Sequence, residues 1–253
     1  DGSVSYGSFN SVSADGGVTL PLAPGVVSLR LSGLWQQRDN WVDNGFTGEE
    51  DVYGAYSEVA GRAQMLITPG DRLSILGSYS IRDLDGQSTL FRANILGPGD
   101  NELNDNYDRD TVFYDAGGRN EAAYKAEIAT AKVDYEADFA TFTSITSWAN
   151  SEGRSRGDID GGWIVRNEDG DVIETGPGFI PFESDTQDSI DLEQFTQEVR
   201  IASNSNGPVQ WQVGGFYFDS DFDVTTIGFP FPPPVTVNHT NESWAVFGQV
   251  TGE

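Results

Sequence analysis

The chain of 253 residues contains no cysteine. Disulfide frameworks, thiolate metal centres and cysteine nucleophiles are therefore excluded. Histidine is almost as scarce. His239 is the only one in the sequence, which removes multi-histidine zinc sites and leaves any Ser/His/Asp constellation dependent on that one side chain; it reads as a loop residue. Basic residues are also few: 14 Lys and Arg face 40 Asp and Glu, a formal charge of −26. With no cationic surplus to neutralise phosphates, nucleic acid is not an expected partner. Nor does any run approach the roughly 20 apolar residues of a membrane-spanning helix, and Asp1-Gly2-Ser3 has neither the basic nor the apolar part of a signal peptide. This last absence says nothing about a membrane barrel, whose strands need only every second residue apolar.

What the sequence does have is alternation of period two, in segments of about ten residues separated by turn chemistry. From Arg72 to Arg82, Leu73, Ile75, Gly77, Tyr79 and Ile81 share one face, with Ser74, Ser78 and Ser80 opposite. Val27, Leu29, Leu31 and Trp35 oppose Ser28, Arg30 and Ser32; Val59, Ala63, Met65 and Ile67 oppose Arg62 and Gln64. Phe195, Val199 and Ile201 oppose Thr196, Glu198 and Arg200, and Trp211, Val213 and Tyr217 oppose Gln210 and Gln212.

Connections between these segments alternate in length. Pro69-Gly70-Asp71, Glu136 to Asp138 and Ser203 to Pro208 are short, whereas Gln37 to Asp51, Asp83 to Ala122, Glu152 to Asp191 and Thr225 to Asn241 are long and polar. A soluble sandwich has no reason to trim one end only, but short periplasmic turns with long extracellular loops are characteristic of outer-membrane barrels. The expected fold is an all-β, antiparallel transmembrane β-barrel, partial, with about ten strands, as one domain over residues 1–253. Trp35, Trp148 and Trp211 fall near strand ends, where an interfacial girdle needs amphipathic rings.

Several segments resemble the barrel of TonB-dependent receptors. Ser5-Tyr-Gly-Ser-Phe-Asn10 followed by Gly16-Gly-Val-Thr-Leu-Pro-Leu22 is similar to that family's first barrel strand and hairpin. Phe195 to Ser203 with Trp211 to Tyr217 is similar to a mid-barrel hairpin, and Ser243 to Val250 to the strand that follows. The resemblance implies an outer-membrane receptor of a Gram-negative bacterium for energy-coupled uptake of a large nutrient, such as an iron–siderophore complex, cobalamin or a saccharide. Its implied partners are membrane lipid and lipopolysaccharide, a plug domain, further barrel strands and the TonB energy-coupling complex. Plugged transporters have about 22 strands, so the chain corresponds to the N-terminal half of such a barrel, with the plug not among its residues. The alternative is a soluble extracellular β-rich module for adhesion or carbohydrate binding.

On the wall, Arg30, Arg62, Arg82, Lys132, Glu198 and Arg200 are expected to line the lumen. In the loops, Trp41, Phe113, Tyr114, Trp163, Phe229 and Phe231 are candidate ligand contacts, since flat apolar faces supply binding area at low entropic cost; packing of the loops on themselves is the competing reading. Acidic clusters such as Asp105, Asp108 and Asp110 lack the complete EF-hand pattern and read as solvated carboxylates. No metal site, cofactor or catalytic constellation is expected, and the chain is not expected to be an enzyme.

Overall fold

The computed structural model describes residues 1–97, 99, 101–115, 120–158, 160–176, 185–204, 207–228 and 233–252. Its strands are β1 (Gly2–Tyr6), β2 (Val12–Ala23), β3 (Val27–Arg38), β4 (Val42–Asn44), β5 (Glu49–Tyr53), β6 (Tyr56–Gly70), β7 (Leu73–Gln87) and β8 (Thr111–Val112). They continue with β9 (Glu121–Glu136), β10 (Ala140–Asp158), β11 (Trp163–Arg166), β12 (Val172–Gly176), β13 (Asp185–Ser203), β14 (Val209–Gly228) and β15 (Val235–Gly252). Among the described residues there is no helix.

Ten strands form one sheet in the order β1-β2-β3-β6-β7-β9-β10-β13-β14-β15, every pair antiparallel. The sheet is an up-and-down meander, each strand lying beside the next long one in sequence. At one end the chain turns tightly, at 24–26, 71–72 and 137–139, and β13 is joined to β14 at the same end. Pro24-Gly25 opens the first of these turns, Gly25 taking φ +76°, where a side chain would be strained. At the other end, in chain order, lie three longer connections: the one from β3 to β6 with β4 and β5, the one from β7 to β9 with β8, and the one from β10 to β13 with β11 and β12. Among the described residues β1 pairs only with β2 and β15 only with β14, so the sheet has two open edges.

The strands reach further into the polar segments than their composition suggests. Thr225 to Asn241, expected as a long loop, is mostly ladder: Thr225 faces Thr236, Asp223 faces Asn238 and Ser220 faces Asn241. His239 is accordingly a strand residue opposite Phe222 rather than a loop residue. The same extension brings Asp83 to Gln87 into β7 and Glu152 to Asp158 into β10.

The ladder sorts side chains into two faces. One carries Leu31, Ala63, Tyr79, Ala129, Trp148 and Phe195, directly opposite one another from β3 to β13. Among the described residues nothing covers this face: Tyr79 is 44% exposed, Val199 53% and Trp244 76%. Its polarity boundary runs obliquely to the strands. The row through Trp35 and Val59 turns charged at Asp83. Four residues lower on β3, the row through Leu31 stays apolar as far as Phe195 and turns charged at Asp219. Two residues lower again, the row through Leu29 reaches Trp244 on β15 without meeting a charge. The boundary thus falls from Trp35 to the row of Leu29 while crossing from β3 to β15. With ~3.3 Å per residue and ~4.8 Å between strands, this is about 20 Å of fall across about 34 Å of sheet, an angle of about 30°.

Candidate functional site

The first two loops at the long end build a small core of their own. In a second sheet β4 pairs antiparallel with β5 and parallel with β8, drawing 39–55 and 88–115 together. Between them Val42, Tyr53, Val112 and Tyr114 are fully buried, with Trp41, Val52 and Leu90 packed against the cluster. Asn44 holds this core from inside. Its Nδ2 donates to the Tyr114 carbonyl at 2.9 Å and to the Tyr53 hydroxyl at 3.2 Å. Its Oδ1 accepts from the N–H of Phe46 at 3.1 Å and of Tyr114 at 3.2 Å. Burial pushes the Tyr114 hydroxyl well above the usual phenol range.

Three of the expected loop aromatics are therefore brought together, but facing inward. Tyr114 has no exposed surface. Trp41 stacks on Phe9, with ring centroids 4.8 Å apart, and lies under the guanidinium of Arg109 at 5.1 Å. Phe113 lies against Gly45 and Gly162, joining 39–55 to the third loop. Trp163 belongs to β11, its side chain outside those described, and Phe229 and Phe231 fall outside the described residues. The module instead presents Phe46, Phe91 and Tyr107 to solvent, 39%, 53% and 39% exposed, with Arg92 over the Tyr107 ring. Sequence reasoning missed these three, which carry no local signal separating them from the buried aromatics beside them.

Asp158, at the loop end of β10 and beyond the apolar band, joins the second and third loops. It is 1% exposed, and its carboxylate accepts from the N–H of Gly161 at 2.7 Å, of Asp160 at 3.1 Å and of Asp115 at 3.4 Å. Its pKa is raised to about 7. Burial is the main cause; the Gly161 and Asp160 N–H groups pull it down, and the charges of Asp115 and Asp160 push it up.

The polar face of the large sheet holds the six expected lumen residues in two groups. Toward the loops, Glu58 receives Arg82 Nε and Gln36 Nε2, each at 2.6 Å, and Arg82 stacks over Tyr124. Arg62 lies between Ser32 and Ser80 in the ladder, with Arg30 and Arg82 on its diagonals. Toward the turns, Lys132 pairs with Asp134 at 2.8 Å, Thr143 donates to Asp134, and Arg200 approaches Glu198 at 3.5 Å. Among the described residues no cluster of His, Asp and Glu is arranged to hold a metal ion.

A meander with one trimmed end, an uncovered apolar band and a polar opposite face defines the class of antiparallel membrane-barrel walls. Solved structures agree with that class. The chain superposes over 98% of its length on the ferric yersiniabactin uptake receptor FyuA from Yersinia pestis, with a TM-score of 0.61 at 13% identity. It also superposes over 99% of its length on the ferric-catecholate import receptor Fiu from E. coli, with a TM-score of 0.52 at 11% identity. It spans less than half of those receptors, 42% of FyuA and 47% of Fiu. The fold is thus that of a stretch of a TonB-dependent siderophore receptor barrel. No protein-family model matches the sequence.

Proposed function

We propose that the chain is a segment of the wall of an outer-membrane receptor in a Gram-negative bacterium, serving energy-coupled uptake of a nutrient too large for simple pores. The oblique apolar band carries this reading. A soluble sheet buries its apolar face against protein. Strands inclined in a bilayer require both the exposure and the slope, and the slope of about 30° lies near the 35–45° tilt of known barrels. Membrane lipid and lipopolysaccharide would meet the band, a plug would meet the polar face, and coupling to a TonB complex would pass through that plug. An iron–siderophore complex is the cargo class in keeping with FyuA and Fiu. Two open edges in hydrocarbon would each cost several kcal/mol per unpaired backbone group, so further strands would complete the wall.

Partitioning tests this. The full chain, refolded with detergent or lipid vesicles, is expected to float with the vesicles in a density gradient and to resist extraction by high salt. A chain that is monomeric in detergent-free buffer and unfolds cooperatively there is a soluble module, and the membrane reading is then wrong.

A further inference from the structure

On the polar face, Arg30, Arg62 and Arg82 stand on the neighbouring strands β3, β6 and β7, each displaced two residues toward the loops relative to the one before. Tyr124 on β9 continues the line, two residues above the position opposite Arg82. Each step moves about 4.8 Å across the sheet and about 6.6 Å along a strand. Relative to the oblique apolar band, whose edge marks the membrane plane, this step rises about 8 Å and drifts sideways only about 1 Å. The side chains therefore stack nearly parallel to the membrane normal. A line climbing the other way across the strands would rise only about 3 Å per step while drifting about 7 Å sideways.

We propose that this arginine column is a binding track for a small polyanion, carboxylate or phosphate in chemistry, moving along the wall between the loop end and the turn end. The proposal rests on the membrane-wall reading, which supplies the direction of the normal and sets the column at the seam between the wall and a plug; the exposures of its side chains are those of the wall by itself. Three observations support it. First, the column faces a hollow of about 760 Å³ whose charged lining is Arg30, Arg62 and Arg82 with Asp1 and Asp15 at its β1–β2 side. The guanidinium groups are half exposed to it: Arg30 is 45% and Arg82 48% accessible at the side chain, and Arg62 is exposed.

Second, the column is under-neutralised in a chain of net charge −26. Arg82 has Glu58, and Arg30 has only the exposed Asp1 carboxylate at 3.7 Å. Arg62 has no carboxylate partner among the described residues; serines flank it on both sides. On this face the acidic residues nearest the column are Glu58, held by Arg82, and Asp15, held by Ser3, while Asp83, Glu152, Asp191, Asp219 and Asp223 belong to the opposite face. Third, rungs about 8 Å apart, with Ser32, Ser80 and Gln64 between them, let an anion pass from one guanidinium to the next without losing all of its hydrogen bonds. Conduction requires such spaced, weak sites rather than one deep one. Guanidinium forks suit planar carboxylate and phosphate groups.

Citrate is the probe, titrated calorimetrically at neutral pH into the full chain folded in detergent micelles. Saturable binding is expected, weakened about tenfold by Arg62→Gln, which removes charge-assisted hydrogen bonds. Arg62→Lys is expected to stay within a few-fold of the parent. Ser80→Asp, which sets a carboxylate beside Arg62, is expected to abolish binding, and Arg154→Gln on the other face to change nothing. Uncharged triethyl citrate is expected not to bind. The proposal is overturned if the folded parent shows no saturable citrate binding, or if Arg62→Gln or Ser80→Asp binds as the parent does. Vesicle flotation of the same preparations keeps the two readings apart: normal flotation without citrate binding removes the track and leaves the wall.

Discussion

Gly54 and Trp41 meet so closely that a Cβ on Gly54 would lie 2.5 Å from Trp41 Nε1 and 2.7 Å from its Cδ1. Gly54 also takes φ +99°, and its carbonyl receives Arg38 Nε at 2.9 Å and a second nitrogen of that guanidinium at 2.6 Å. Gly54→Ala adds left-handed strain to a steric clash, at a cost of about 1–3 kcal/mol. The expected outcome is faster proteolytic nicking within 39–55 while vesicle flotation is unchanged. Parent-like nicking would show that this contact does not hold the loop.

Asn44 satisfies both backbone groups of Tyr114 inside the loop core. Asn44→Leu leaves that N–H and C=O buried without partners, each at about 1–3 kcal/mol. Hydrogen exchange at the Tyr114 amide is expected to accelerate toward that of an exposed loop, with exchange in β9 and β10 unchanged. Slow exchange at Tyr114 in the variant would mean that another group holds it.

The two faces differ in their tolerance of charge. Ile75→Lys or Leu31→Lys is expected to disfavour membrane insertion by about 2–4 kcal/mol, whereas Ser78→Lys or Ser32→Lys is tolerated. The slope of the band makes a stricter case: Phe195→Asp is expected to block insertion although the native Asp219 lies directly opposite it in the ladder. Flotation of each variant reads the result. Equal behaviour of Phe195→Asp and the parent would contradict an oblique boundary.

Asp158 makes the loop junction pH-dependent. Its folded pKa of about 7 lies above its ordinary value of 3.8, so between these values the folded state holds a proton that the unfolded state has lost. Stability of the junction is therefore greatest below about pH 4, declines as pH rises toward 7 and levels off above. Protection of 159–176 from protease is expected to be stronger at pH 5 than at pH 8, and this difference is expected to vanish in Asp158→Asn. The opposite trend would place the carboxylate in a stabilising ion pair.

The wall was legible because a barrel strand writes its two environments into alternate residues; Leu73 to Ile81 shows this without help from any neighbour. The tight turns were legible through Pro and Gly. The ends of the long strands were not. Beyond the band both faces of a strand are wet, so Asp219 to Asp223 and Thr236 to Asn241 carry no apolar alternation and resemble loop, although β14 and β15 remain paired there. The loop core was hidden for a different reason. β4 and β8 are two or three residues long and pair in parallel across a wide sequence gap; no local pattern announces such a contact. Tyr114 and Trp41 therefore looked like surface aromatics, and Asn44 gave no sign that it would become the hub of a buried network. The lumen arginines were individually visible, but their alignment required the ladder register.

Apart from Ala140, the fully buried apolar side chains among the described residues belong to the loop core at Val42, Tyr53, Val112 and Tyr114. The apolar band of the wall would face hydrocarbon both before and after a loop melts, whereas the loop core passes from a dry interior into water. Heat capacity responds to apolar surface gained by water. A calorimetric scan of the membrane-embedded molecule would therefore register chiefly its extramembrane loops, and the wall, though most of the mass, would be thermally quiet.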